Sequence, residues 1–147
     1  MISIKKYNHK LQYVWDDFII NSNNGSIFNQ QKFLQYHVDK KFVDSSLMFY
    51  RGQELVCLLP ASLLIIKKKL CLISHPGASW GGFIYNHMCF DVSCQILEVL
   101  EKYCIRNKIK VIQLVLAPQY YTTFLGRTLE YSLYIKSYVL LQRYLSH

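Results

Sequence analysis

The stretch Leu70-Cys71-Leu72-Ile73-Ser74-His75-Pro76-Gly77-Ala78-Ser79-Trp80-Gly81-Gly82-Phe83-Ile84-Tyr85 decides how the rest of the chain is arranged. One apolar run enters a loop and a second leaves it. Gly and Pro interrupt strands where the backbone must bend or pass close to another group. Three glycines, a proline, a His and a Trp within His75–Gly82 exceed what a tight turn requires. His75 and Trp80 on such a bent loop suit the wall of a ligand site. The competing reading is a broad connection in which Trp80 fills the core and His75 is a hydrogen-bonded imidazole.

Reading forward, Asp91 is a good N-cap for a helix running to about Asn107. Val92, Ile96, Leu97, Leu100, Tyr103 and Cys104 form its apolar stripe, and Lys102 and Arg106 complement its C-terminal dipole. Val111–Leu116 is a near-continuous apolar run that suits a strand covered on both faces. Strand, helix and buried strand in that order make a βαβ unit, so Phe83–Tyr85 and Val111–Leu116 are expected to be parallel neighbours. Tyr85 would then place its hydroxyl where such strands part, or simply pack half-buried. Gln119–Tyr134 reads as irregular to helical, and Ser137–Leu145 as a strand-like tail.

Reading backward, Leu47–Tyr50 and Glu54–Leu59 flank Arg51-Gly52-Gln53, a hairpin signal. Pro60 breaks or bulges the second of these strands. Ser62–Ile66 and Leu70–Ser74 flank Lys67-Lys68-Lys69, a second hairpin with a solvated tip that discourages edge pairing. Ile2–Tyr7 reads as an edge strand, and Asn8 as the cap of a helix over Lys10–Ile20. The Asn- and Gly-rich turn Asn21–Ser26 ends that helix. A second helix is expected near Lys32–Val38, with Phe33 and Tyr36 or His37 facing inward.

The chain has 147 residues, the size of one domain with one sizeable core. Hydrophobic residues at 52% exclude general disorder, and charged residues at only 18% imply that some apolar surface is covered by a second domain, a dimer mate or a ligand. A net charge of +8 favours anionic partners. The basic residues are not interleaved with aromatics in a stacking pattern, which weighs against sequence-specific nucleic-acid reading. The five cysteines are odd in number and lack zinc-type spacing, so they read as reduced, buried thiols of a cytoplasmic protein. No run approaches membrane-spanning length. An antiparallel meander feeding one βαβ crossover gives a mixed α/β domain, an architecture that by itself names no reaction.

The order of elements, with Phe28-Asn29-Gln30-Gln31-Lys32-Phe33-Leu34-Gln35-Tyr36-His37, Leu59-Pro60 and Ser74-His75-Pro76-Gly77 ahead of Gly81-Gly82, resembles the N-terminal half of FemA/FemB-type aminoacyltransferases and related GNAT-fold proteins. The resemblance implies a single GNAT-like domain over residues 1–147, equivalent to one half of a two-domain protein. Its sheet would be mostly antiparallel, with a central βαβ crossover flanked by helices. It implies the acceptor-substrate side of an N-acyl or aminoacyl transferase acting on peptidoglycan precursors, inactive as an isolated half. The partner would be a second GNAT-like domain or a homodimer mate, with an anionic small-molecule acceptor and tRNA as further candidates. The alternatives are a non-catalytic dimerisation or docking module and a basic RNA-contacting domain.

A GNAT domain seats the coenzyme A pyrophosphate on glycine-rich backbone amides at a helix start. The matching segment here, Asn86-His87-Met88-Cys89-Phe90-Asp91, has no glycine and carries a carboxylate that competes for those amides. No cofactor is therefore expected on this domain, and the donor, aminoacyl-tRNA or acyl-CoA, would be held elsewhere in a complete protein. The candidate substrate-binding residues are His75, Trp80, Tyr85, Lys32 and His37. Lys32 and Arg51 could meet a diphosphate, although isolated basic side chains are usually just solvated. His87 and Asp91 read as helix-start capping before they read as an acid/base pair. No nucleophile-and-base arrangement can be assembled from spacing alone.

Overall fold

A computed structural model describes residues 1–35, 43–76, 80–118 and 127–141. Its strands are β1 (Ile2–Lys6), β2 (Val43–Asp44), β3 (Leu47–Arg51), β4 (Glu54–Leu59), β5 (Ser62–Ile66), β6 (Lys69–Ser74), β7 (Ile84–Tyr85) and β8 (Val111–Leu114). The helices are α1 (Gln12–Ile20), α2 (Gln31–Leu34), α3 (Phe90–Arg106) and α4 (Thr128–Ile135). The fold is mixed α/β. Two four-stranded sheets have the orders β1-β3-β4-β7 and β2-β5-β6-β8, every pair antiparallel except β6 with β8.

The two sheets share their chains. β3 continues β2 and β5 continues β4, so Leu47 pairs with Leu59 on one side of a seam and Asp44 with Ser62 on the other. Pro60 has no N–H to give the ladder, so the strand must break there. Buried hydroxyls take over. Ser46 Oγ accepts the Ala61 N–H at 3.2 Å and donates to Asp44 Oδ1 at 2.8 Å. Ser74 Oγ donates to the Pro60 carbonyl and accepts the Gly82 N–H at 2.7 Å. The chain thus leaves the second sheet at Ser74 and re-enters the first near Gly82.

Alternation along the strands sorts the core into two layers. Leu47, Phe49, Cys57 and Leu59 join Ile96, Leu97 and Leu100 of α3 and Leu129 and Leu133 of α4. Met48, Leu58 and Ile84 point the other way, onto Tyr7, Trp15 and Ile19. The α3 stripe is as its periodicity requires, and Asn8 caps a short 3-10 turn, His9–Leu11, that leads into α1. At the β5–β6 hairpin Lys67 and Lys68 both have positive φ, 50° and 65°, which is the backbone twist a two-residue hairpin needs. Among the described residues no helix is long and apolar enough to cross a membrane.

The 111–116 strand is not covered on both faces: β8 ends its sheet, and Val111, Gln113 and Val115 are exposed. Three further expectations change. The parallel partner of β8 is β6, in the register Cys71–Val111 to Ser74–Leu114. No pairing joins 83–85 to 111–116 among the described residues; the 111–116 segment instead meets the chain ahead of β7 at an isolated parallel bridge, Gly81 with Leu116, where the Gly81 N–H donates to the Val115 carbonyl at 2.7 Å. The reason is that β7 has no spare edge. One edge pairs with β4, and on the other Asn24 Nδ2 donates to the Phe83 carbonyl (2.7 Å) while Asn24 Oδ1 accepts the Tyr85 N–H (3.0 Å). The Asn23 N–H donates to the Tyr85 carbonyl at 2.8 Å, completing that edge. Secondly, α3 starts at Phe90 behind Cys89, so Asp91 lies inside the first turn, where it complements the dipole without capping. Thirdly, residues 138–141 form no strand; they leave α4 with Val139, Leu140 and Leu141 exposed. The second helix covers Gln31–Leu34, and Tyr36, His37 and Val38 lie outside the described residues.

Gly81 is a sharp test of the seam. A Cβ there would lie 2.6 Å from both the His75 nitrogen and the Ser74 carbonyl carbon, backbone atoms that cannot swing aside. Gly81→Ala should therefore destabilise the domain by about 1–3 kcal/mol. At roughly 2–4 °C per kcal/mol for a chain of this length, thermal unfolding followed by circular dichroism would read the loss directly.

Candidate functional site

The site is built from the N-terminal layer. Trp15 is fully buried on α1, and its Nε1–H donates to the Asn29 carbonyl at 2.8 Å. Ser26 and Asn29 close a capping box over the turn Ile27–Asn29. The Gln31 N–H then donates to Asp16 Oδ1 of α1 at 2.9 Å, which fixes the start of α2. Tyr7, just past β1, packs edge-on against Trp15 with ring centroids 5.2 Å apart, and its N–H donates to the Ser46 carbonyl at 2.8 Å. Together these anchors hold Tyr7 and Gln31 beside the seam.

Between them opens a cavity of about 240 Å³. Tyr7, Gln31, Asp44, Ser62 and His75 line it, and Asn8, His9, Leu34 and Gln35 complete the lining. Tyr7 is 7% exposed and Gln31 2% exposed, yet the Tyr7 hydroxyl and Gln31 Nε2 have no hydrogen-bond partner among the described residues. Each such buried orphan costs about 1–3 kcal/mol. Burial, followed by the charges of Asp16 and Asp44, pushes the Tyr7 hydroxyl up to about 12, so it keeps its proton across the physiological range.

His75 is buried on the inner wall. Its Nδ1 lies 2.7 Å from the Pro76 carbonyl, and since a carbonyl only accepts, Nδ1 carries the proton. In the neutral ring Nε2 then accepts from Ser62 Oγ at 3.1 Å. Both nitrogens are engaged, which makes His75 a structural part of the wall in this arrangement.

The other sequence candidates do not converge on this cavity. Trp80 is half-buried and packs edge-on against Phe28 at 5.2 Å, which in turn meets Phe33 at 5.1 Å, an aromatic cluster in front of α2. Tyr85 faces the α3–α4 layer with Cys57 and is raised first by burial, then by Cys57 and Glu130. Lys32 is exposed on α2, one residue past Gln31. His37 lies outside the described residues. Tyr7, Gln31, Asp44 and Ser62 were not singled out by sequence reasoning. The available signal was Tyr7 ending an edge strand and a glutamine at a helix start, neither unusual alone.

The thiols offer no nucleophile in the core. Cys57, Cys71 and Cys104 are buried, and burial pushes Cys57 and Cys104 up, Cys104 to about 11. Cys89 is exposed and Cys94 half-exposed, against the expectation of uniformly buried thiols. At the start of α3, Cys89 makes no side-chain cap.

No family model matches the chain, and no curated protein matches it. Solved structures do. TTHA1254 from Thermus thermophilus superposes with a TM-score of 0.57 at 12% identity, over 99% of this chain and 95% of that one. A GNAT family acetyltransferase from Staphylococcus aureus gives 0.55 at 10% identity, over 99% and 97%. A possible acetyltransferase from Clostridium difficile 630 gives 0.58 at 7% identity, over 100% and 97%. The chain has a GNAT fold. At these identities the likeness is one of fold, and it spans nearly the whole of each neighbour.

Tyr7 supplies a pH test of the site. A hydroxyl raised in the folded state stays protonated there while the unfolded chain has already lost its proton, so the folded state binds more protons between pH 10 and 12. Stability is therefore highest below pH 10 and falls as pH rises towards 12. Other buried tyrosines contribute, so Tyr7→Phe should flatten only part of this decline, read as urea midpoints against pH.

Proposed function

We propose that this chain forms the acceptor-substrate side of a GNAT-fold N-acyl or aminoacyl transferase of the FemA/FemB type, acting on peptidoglycan precursors in the cytoplasm. The observation that carries the reading is the cavity at the end of β6, walled by His75 and lined by Tyr7 and Gln31. The fold it shares with proteins described as acetyltransferases supports the same reading.

Catalysis would be positional. The domain holds an acceptor amine beside an acyl carbonyl; the new N–C bond forms as the bond to the donor's sulfur or ribose oxygen breaks, and the amine proton ends on that departing sulfur or oxygen as the free thiol or hydroxyl. The donor, acyl-CoA or aminoacyl-tRNA, would be held by a second GNAT-like domain or a homodimer mate. The start of α3 supports that division, because it has no glycine between Asn86 and Asp91 and Asp91 stands in its first turn. A phosphate would meet a carboxylate there. Lys32, exposed on α2 beside Gln31, is the candidate contact for a nucleotide diphosphate.

Isothermal titration separates the roles. A nucleotide-linked muropeptide should release or absorb heat with the isolated domain, while acetyl-CoA should give none. Tight acetyl-CoA binding with no muropeptide response would reverse the assignment.

A second reading, a non-catalytic dimerisation module, is favoured by the segment after α4. Val139, Leu140 and Leu141 are 79%, 70% and 82% exposed, and Tyr134 near the end of α4 is 75% exposed, an unusual concentration for a folded surface. Light scattering after size exclusion decides it. A stable particle of twice the 17.4 kDa chain mass, returned to monomer by Leu140→Glu, supports this reading; a monomer removes it.

A further inference from the structure

We propose that the cavity between Tyr7, Gln31 and His75 binds a neutral amide, the group that a peptide bond or a carboxamide presents. The inference deepens the acceptor-side reading and rests on it for its biological meaning, but its chemistry is drawn from the cavity alone.

Gln31 Nε2 is buried, lines the space and lacks a partner among the described residues. It can only donate, so its missing partner is an acceptor. The Tyr7 hydroxyl beside it is likewise unpartnered among those residues and, held up to about 12, offers its proton rather than a charge. Two donors without acceptors call for a ligand oxygen.

The surroundings choose which oxygen. Asp44 lines the cavity, and both Asp44 and Asp16 act on the Tyr7 hydroxyl as negative charges. Among the described residues no Lys or Arg lines the space. A carboxylate or phosphate would enter against that charge with no lysine or arginine of the described residues to offset it. An ammonium would suit Asp44 but leave Gln31 Nε2 without an acceptor. A neutral carbonyl answers both donors, and the N–H of the same amide can donate towards Asp44 or the hydroxyl of Ser62. The volume of about 240 Å³ equals about eight waters at roughly 30 Å³ each, room for a small diamide.

Three matched probes test the class by 15N-resolved NMR titration: neutral N-acetyl-L-alaninamide, anionic N-acetyl-L-alanine and cationic L-alaninamide. The neutral diamide should shift the Gln31 side-chain amide and the backbone signals of Tyr7 and Ser62. Each charged probe should bind at least roughly tenfold more weakly. Gln31→Leu and Tyr7→Phe should each weaken diamide binding by roughly tenfold, the loss of about one hydrogen bond. Tyr7→Phe removes a hydroxyl with no partner among the described residues and should leave the melting temperature unlowered, so it remains informative if Gln31→Leu does not fold. Equal or tighter binding of the carboxylate, shifts confined to other regions, or no shift with any probe would overturn the proposal: the cavity would then hold only water. The two readings fail separately. Muropeptide binding without a diamide response removes the amide site alone. Diamide shifts at Gln31, together with acetyl-CoA heat and no muropeptide heat, keep the amide site and remove the acceptor reading.

Discussion

The Ser74 hydroxyl carries the constraint on which the rest of this structure depends. A sheet that bends at Pro60 loses ladder bonds on both sides of the break, and the groups left behind are buried. Ser74 Oγ donates to the Pro60 carbonyl and accepts from the Gly82 N–H, so one side chain closes the ladder across an eight-residue excursion, His75–Gly82. Ser46 does the equivalent on the other flank by accepting the Ala61 N–H. Both serines are essentially inaccessible to solvent. A buried hydroxyl with its bonds made is stabilising, whereas the same backbone groups without it would be orphans.

The cavity lies beside that bend. Past the seam, Ser62 of β5 and His75 after β6 line the same space as Tyr7 after β1 and Gln31 of α2. The Trp15–Asn29 and Gln31–Asp16 bonds keep the α2 wall from collapsing inwards. A rigid frame around donors that lack acceptors among the described residues is the arrangement expected where stability has been traded for recognition.

Much of this was legible in the residues. The two hairpins, the edge strand at Ile2, the α3 stripe and the break at Pro60 follow from local rules that burial does not override. The pairing of β8 was not legible, because it depends on Asn23 and Asn24, which read as a turn after α1 and in fact occupy the edge of β7. No spacing rule announces that an amide 59 residues away will stand in for a strand. His75 was visible through its glycine- and proline-rich loop, and the structure sets it in the cavity wall. Tyr7, Gln31 and Ser62 were invisible for a different reason: each is unremarkable in its own element and becomes distinctive only when three elements meet.

The Asn24 clamp has an implication for the behaviour of the chain outside its native fold. By covering the Phe83 carbonyl and the Tyr85 N–H, it hides a short, apolar backbone edge from other molecules. A crowded, partly opened population in which the α1–α2 connection lets go would present that edge bare, ready to recruit an extended segment from a neighbouring chain. Asn24, with the Asn23 N–H on the Tyr85 carbonyl, therefore keeps this edge from offering free backbone groups to a neighbouring chain.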